Sequence, residues 1–246
     1  MFKDYELEVI YRDEYLIAIN KPSGLLVHKS MIDRYEIYFA MKILRDQIGA
    51  WVYPIHRLDK PTSGVLLFAL DSHSAKLMSE QFKTHTIQKS YIAVVRGYID
   101  EEGLIDYALS VKLDKIADKD VNAVPKEAQE AITAFRRLDK VEIPFAVGRY
   151  PQTRYSLVEL KPKTGRKHQL RRHMKHLSHH ILGDTKYGRG EHNKMIRSQF
   201  NCHRMLLHAT SLEIKHPYTE KKLRINAGLD ETFQNIFKSF SWKDEV

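Results

Sequence analysis

Short apolar runs separated by turn-forming breaks dominate the chain, and that rhythm predicts strands more often than helices. Residues 7–24, LEVIYRDEYLIAINKPSG, read as two short strands about a turn at Arg12-Asp13, closed by the breaker Lys21-Pro22-Ser23-Gly24. The run VLLFAL at 65–70 is dense in apolar residues and follows a turn, so it predicts a buried strand. SYIAVVRGYI (90–99), RYSLVELKP (154–162), MLLHATSLEI (205–214) and KKLRINAG (221–228) predict further strands.

Helical spacing appears in fewer places. In DSHSAKLMSEQFKTH (71–85), Ala75, Met78 and Phe82 share a face, with Ser72 or Ser74 as the candidate N-cap. TGRKHQLRRHMKHL (164–177) aligns Leu170, Met174 and Leu177, and a short closing helix is predicted around Glu231 to Phe240. From Lys112 to Ala131 the chain turns polar and mixed in charge. Strands resume on both sides, which predicts a surface excursion and not a linker. The whole pattern predicts one α+β domain over residues 1–246, on a mixed, mostly antiparallel sheet with flanking helices.

Composition narrows the function classes. At 246 residues with 43% hydrophobic positions, the chain can bury a sizeable core and is not a disordered segment. Its one cysteine, Cys202, excludes a disulfide framework and a Cys-rich zinc site, and fits a reducing compartment. MFKDYELEVI lacks the apolar core of a signal peptide, and VLLFAL, the longest apolar run, is too short to span a bilayer. A cytoplasmic protein with no membrane partner is expected.

The formal net charge of +9 points to a polyanionic partner. Between Lys161 and Gly183 lie seven cations (Lys161, Lys163, Arg166, Lys167, Arg171, Arg172 and Lys175) and no Asp or Glu. Solvated helices ordinarily mix signs to gain i,i+4 pairs. Arg166 and Lys167 also fall near the expected helix N-terminus, where the macrodipole opposes cations and favours a phosphate. The segment is therefore expected to bind a polyphosphate chain; the bland alternative is a basic solvated face. Five histidines (His168, His173, His176, His179, His180) share the segment, but the nearest acid is Asp184 and the cations would repel a divalent metal. No metal site is expected. These histidines are read as RNA-contacting or structural.

The stretch IHRLDKPTSG, 55–64, sets one carboxylate, Asp59, between Arg57 and Lys60 and runs into a turn. On its own it could be an Asx-type turn residue bonding nearby amides. HRLDKPTSGVLLFAL, however, resembles the central motif of the RluA-type RNA pseudouridine synthases. Four further segments agree in chain order: NKPSGLLVH (20–28), KSYIAVVRG (89–97), TGRKHQLRRHM (164–174) with GDTKYG (183–188), and LLHATSLEIKHPYT (206–219). Within the family the chain looks most like the branch acting on uridine 65 of tRNA. No small RNA-binding domain is expected ahead of the first motif.

The resemblance implies an isomerase that detaches uracil from ribose, turns it and rejoins it through C5, with no cofactor and no metal. It implies Asp59 as the catalytic aspartate and Arg171 as its charge partner; the bland role of Arg171 is one more phosphate contact. Tyr91 is implied to stack on uracil and share in proton transfer, or else to be plain core. Arg57 is implied to enter the RNA in place of the flipped base. Leu170 would wall the uracil pocket or be an ordinary buried leucine. Arg166, Lys167, His168 and Arg172 would contact the RNA. The expected substrate is tRNA, bound by a monomer. The alternatives are a sister enzyme acting on ribosomal RNA and a non-catalytic RNA-binding protein.

Overall fold

The computed structural model describes residues 5–29, 35–110 and 127–243. Residues 112–126 of the predicted surface excursion lie outside the described residues. In chain order the elements are β1 (Val9–Arg12), β2 (Leu16–Lys21), α1 (Ala40–Ile48), β3 (Tyr53–Pro54), β4 (Ser63–Ala69), α2 (Ser72–Lys83), β5 (Gln88–Arg96), β6 (Glu102–Asp106), β7 (Ile132–Ile143), β8 (Thr153–Pro162), α3 (Gln169–His176), α4 (Gly190–Phe200), β9 (Leu207–Lys215), β10 (Lys222–Asn226) and α5 (Glu231–Ser239). The strands form one ten-stranded sheet in the order β1-β2-β4-β9-β5-β8-β7-β6, with β10 added to β9 and β3 to β4. The β4–β9 pairing is parallel and the others are antiparallel. The mixed, mostly antiparallel α+β sheet expected from the sequence is the one formed.

Period-two alternation assigns the helices to faces. In β2 and β4, Ile17, Ile19, Leu66 and Phe68 pack with Ala40, Ile43 and Leu44 of α1. Their neighbours Leu16, Ala18, Val65 and Leu67 pack with Met78 of α2 on the other side. In β5, Ile92 and Val94 meet α4 and α5 through Met195, Ile196, Phe233, Ile236 and Phe237. Ala93 and Val95 meet Leu170 and Met174 of α3. Each of the Val, Leu, Ile, Phe and Met side chains among these is worth about 1.5–3 kcal/mol when fully buried. A one-residue slip would turn every one of them to the wrong face, so the register is tightly specified.

The cap of α2 differs from expectation. Asp71, not Ser72 or Ser74, is the N-cap, its carboxylate accepting the N–H groups of His73 and Ser74, each at 2.8 Å. A carboxylate satisfies two free amides and complements the helix dipole, so it outcompetes a hydroxyl there.

One row across the sheet positions the chemistry. Gly64 of β4 pairs with Ala209 of β9, which pairs with Tyr91 of β5, which pairs with Leu160 of β8. The loop carrying Asp59 enters this row through β4, and the chain leaving β8 turns through residues 163–168 into α3. Gly64 is required at the joint. Its φ is +107°, and a Cβ there would stand 2.2 Å from the Ala209 carbonyl oxygen.

Candidate active site

The loop between β3 and β4 is braced from behind. Its turn closes through the Asp59 carbonyl, which accepts the Thr62 N–H at 3.0 Å. The next carbonyl, that of Lys60, accepts the Gly24 N–H at 2.8 Å and the ammonium of buried Lys21 at 3.3 Å, while Ser23 Oγ donates to the Pro61 carbonyl at 2.8 Å. Lys21 also donates to the carbonyls of Pro22 and Leu25, both at 2.8 Å. Burial and the nearby Arg204 charge pull its pKa down to about 7, with Asp59 opposing. The early Lys21-Pro22-Ser23-Gly24 breaker is therefore the buttress of the Asp59 loop. Farther along, His56 Nε2 accepts the Leu67 N–H at 3.0 Å, and burial and the Lys89 charge lower its pKa to about 3. His56 is a neutral strut.

With the turn made by the main chain, the Asp59 carboxylate is left for other partners and is not an Asx-turn acceptor. Oδ2 accepts Arg171 Nη1 at 3.0 Å. Oδ1 faces His168 Nε2 at 3.9 Å. The Asp59 side chain keeps 26% of its surface open, whereas Arg171 keeps 6%. The cation is a built-in part of the fold, and the carboxylate is partly open to solvent.

Arg171 is held by a second acid. Its Nε and Nη2 donate to Asp184 Oδ2 and Oδ1 at 2.7 and 2.9 Å, a two-pronged pair on a side chain 1% exposed. Asp184 Oδ1 also accepts the N–H groups of Lys186 and Tyr187, at 2.9 and 3.0 Å. Burial opposes the Asp184 charge, but Arg171 and these amides outweigh it and hold the carboxyl below its ordinary range. Burial likewise opposes the Arg171 charge, and Asp184 and Asp59 together hold its pKa above the ordinary value. The Tyr187 ring lies 5.1 Å below the guanidinium. Asp184 is the member that sequence reasoning missed. In the sequence it stands only as the acid nearest the histidines, although GDTKYG places it one turn-forming glycine after the basic segment.

Tyr91 sits at the seam of two core clusters, one containing Leu58 and Ala209, the other Leu170. Burial first, and the Asp59 charge second, raise its pKa, so the phenol stays protonated at neutral pH. Leu170 is buried in the cluster that Tyr91 touches. His168 adopts left-handed geometry (φ 55°) at the N-cap of α3 and shares a 3.0 Å hydrogen bond between Nδ1 and the Tyr187 hydroxyl. Burial lowers its pKa; Asp59 opposes, and Arg171, Lys186 and Lys167 assist. Arg57 is exposed on the Asp59 loop; burial lowers the pKa of His28, and the Arg57 charge adds to that.

The rest of the basic segment divides by role. Arg166 Nε donates to the Glu130 carbonyl at 2.9 Å, Lys161 pairs with Glu159 at 3.0 Å, and Arg172 reaches Ser110 Oγ at 3.4 Å. Lys163, Lys167 and Lys175 are exposed. His173 is fully buried between Thr133 Oγ1 and the Tyr107 carbonyl, and His176 stacks on Tyr107 with centroids 3.7 Å apart. Gln169, not singled out beforehand, ties the loop to β7: it accepts from Thr164 Oγ1 and the Arg166 N–H and donates to Ile132 O and Thr133 Oγ1. Lys60 pairs with Glu36 at 2.7 Å. Among the described residues no three His, Cys, Asp or Glu side chains converge as metal ligands, and no helix is long and apolar enough to cross a membrane.

One partly open carboxylate on an arginine that a second, buried carboxylate fixes, with a tyrosine and a leucine nearby on such a sheet, is the site expected of a pseudouridine synthase. The chain belongs to the RNA pseudouridylate synthase family, whose model matches residues 15–176. It is 56% identical over 241 residues to the tRNA pseudouridine synthase C of Vibrio parahaemolyticus, covering 98% of each chain. It is 58% identical over 237 residues to the tRNA pseudouridine synthase C of Haemophilus ducreyi, covering 96% of this chain and 97% of the relative. Among solved structures, Human RNA Pseudouridylate Synthase Domain Containing 4 matches with a TM-score of 0.68 at 26% identity, over 95% of this chain and 93% of that one. Human RNA Pseudouridylate Synthase Domain Containing 1 matches in fold, with a TM-score of 0.69 at 23% identity over 98% and 97% of the two chains.

Proposed function

We propose that the chain isomerises a uridine of tRNA, the one at position 65, to pseudouridine, with Asp59 as the reacting carboxylate. The observation that carries this reading is the Asp59–Arg171 hydrogen bond of 3.0 Å, which leaves one carboxylate oxygen and a quarter of the side chain open. The reaction breaks the bond between N1 and C1′, turns the ring and joins C5 to C1′; the C5 proton leaves and N1 gains one. Nothing is added or removed, so no water or phosphoryl group has to be activated. A lone carboxylate can begin it by attacking C1′, by attacking C6 or by removing a ribose proton. Each route draws on the same carboxylate and the same counter-ion.

In this reading Tyr91 supports the uracil face and moves a proton at C5, and Leu170 bounds the pocket. Arg57, exposed beside the loop, fills the gap left by the extruded base, its planar guanidinium offsetting a few kcal/mol of unstacking. Arg166, Lys167, His168 and Arg172 line the approach of the RNA. The choice of tRNA is supported by the names of the relatives, at 56% and 58% identity; position 65 rests on the motif resemblance. The enzyme acts in the cytoplasm as a monomeric single catalytic domain that draws its RNA affinity from its own cationic surface.

The test is incubation of the protein with total tRNA and ribosomal RNA from a strain lacking it, followed by single-base mapping. New pseudouridine at position 65 of tRNA is the expected result. Modification confined to ribosomal RNA, or none at all, would overturn the assignment.

A further inference from the structure

Lys89 lies two residues before Tyr91 on β5. Side chains two apart share a face about 7 Å from each other. The row Lys89, Tyr91, Ala93, Val95 therefore faces α3, where Ala93 and Val95 pack with Leu170 and Met174. The irregularity in the β5–β9 pairing does not break this row. Ser90 and Tyr91 pair with Ser211 and Ala209, so the extra residue, Thr210, is on β9.

The ammonium of Lys89 is partly buried at the mouth of that face. It donates to the Thr164 carbonyl at 3.3 Å, and a Cβ on Gly165 would come within 3.9 Å of it. Among the described residues it has no carboxylate partner. The acids nearest in the sheet answer other groups: Glu159 takes Ser90, Arg136 and Lys161, and Glu213 takes Lys222. Asp59 faces Arg171 and His168. Burial alone lowers the Lys89 pKa to about 8, with no acid opposing the shift. A withdrawn cation without a counter-ion is costly unless an anion arrives to pair with it.

We propose that Lys89 is the seat of one internucleotide phosphate flanking the uridine being isomerised. This rests on the reading of the chain as an RNA pseudouridine synthase and assigns a residue outside the Asp59, Arg171 and Tyr91 group. Lys89 positions substrate; it does not touch the reacting atoms. It also separates two kinds of cation near the site: Arg171, spent on protein carboxylates, and Lys89, left for the RNA.

The experiment uses the full chain and an RNA hairpin containing the uridine that mapping identifies. Neutral methylphosphonate linkages are placed one at a time on either side of it. Wild type should show a KM raised about tenfold at one linkage, with kcat nearly unchanged. Lys89→Met, which keeps the apolar stem, should show that rise with unmodified RNA and no further rise at that linkage; Lys89→Arg should restore it. The salt dependence of Lys89→Met should also be shallower by ~0.7 in the logarithmic slope, one phosphate contact on a single strand. If Lys89→Met destabilises the fold, Lys89→Gln supplies the same comparison. Equal linkage sensitivity in wild type and variant, or an unchanged KM, overturns the phosphate seat while leaving the activity in place. A wild-type protein that isomerises no RNA overturns the parent reading, and this inference with it.

Discussion

Asp184 grips Arg171 with two hydrogen bonds of 2.7 and 2.9 Å and thereby aims the remaining guanidinium nitrogen, Nη1, at Asp59, 3.0 Å away. The three residues act as a unit, and their energies should not add. Arg171→Ala leaves Asp184 buried without its counter-ion and should cost about 3–5 kcal/mol of unfolding free energy. Asp184→Ala should cost a similar amount, and the double variant markedly less than the sum, with a coupling above ~1 kcal/mol in urea titrations. Additive losses would contradict the unit.

The same carboxylate should mark the acid limb of stability. Its folded pKa lies below the unfolded value of 3.8, so its contribution is complete above that value and is lost as pH falls through the folded one. Asp184→Asn should remove that part of the acid dependence, measured as unfolding free energy against pH.

Two buried histidines should act at milder pH. His208, between Ser63 and the Ala227 carbonyl, has its pKa lowered to about 4, chiefly by burial; burial and the Arg96 charge bring His192 to about 4. The unfolded chain takes up these protons near 6.5, and the folded one only near 4. Their contribution is therefore complete above 6.5 and lost as pH falls from there to about 4. Tm should drop by roughly 5–15 °C between pH 7.5 and 4.5. His208→Asn should flatten the curve.

Arg57→Ala should separate RNA handling from folding. The side chain is exposed, so Tm should move by no more than about 2 °C. kcat/KM should fall by about 10–100-fold, matching a few kcal/mol of base extrusion left unsupported. Arg57→Lys should recover little, because an ammonium cannot stack as a planar guanidinium does.

Gly64→Ala should damage fold and activity together. A Cβ 2.2 Å from the Ala209 carbonyl oxygen, on a residue with φ of +107°, would force β4 away from β9 and the Asp59 loop away from Tyr91. A loss of about 3 kcal/mol or more in unfolding free energy is expected.

The strands were legible wherever apolar density was high. β4 buries every side chain and β5 buries the unbroken run Ile92, Ala93, Val94 and Val95, so both read directly from the chain. β7 did not, because its burial alternates irregularly around a register shift at Arg137/Asp139. α1 buries only Ala40, Ile43 and Leu44, too narrow a stripe to stand out, and α4 opens on Gly190 with no side-chain cap. At the site, Asp59, Arg171 and Tyr91 were legible through motif resemblance, and the structure brings them together. The clustering of cations hid a division of labour. Arg171 counted among seven cations, yet it is buried between two acids. Its partner Asp184 lies one residue beyond the acid-free segment that ends at Gly183. That pairing is made by folding, not by spacing.

The most direct test of the account is tritium release from tRNA carrying 5-tritiated uridine, measured for wild type and Asp59→Asn, with tRNA affinity followed in parallel. Forming the bond between C5 and C1′ expels the C5 hydrogen, so release reports the isomerisation itself. Wild type should release tritium from the target uridine; Asp59→Asn should release none above background while binding tRNA within about tenfold of wild type, a difference of at most ~1.4 kcal/mol. Substantial release by Asp59→Asn would contradict the assignment of the reaction to this carboxylate.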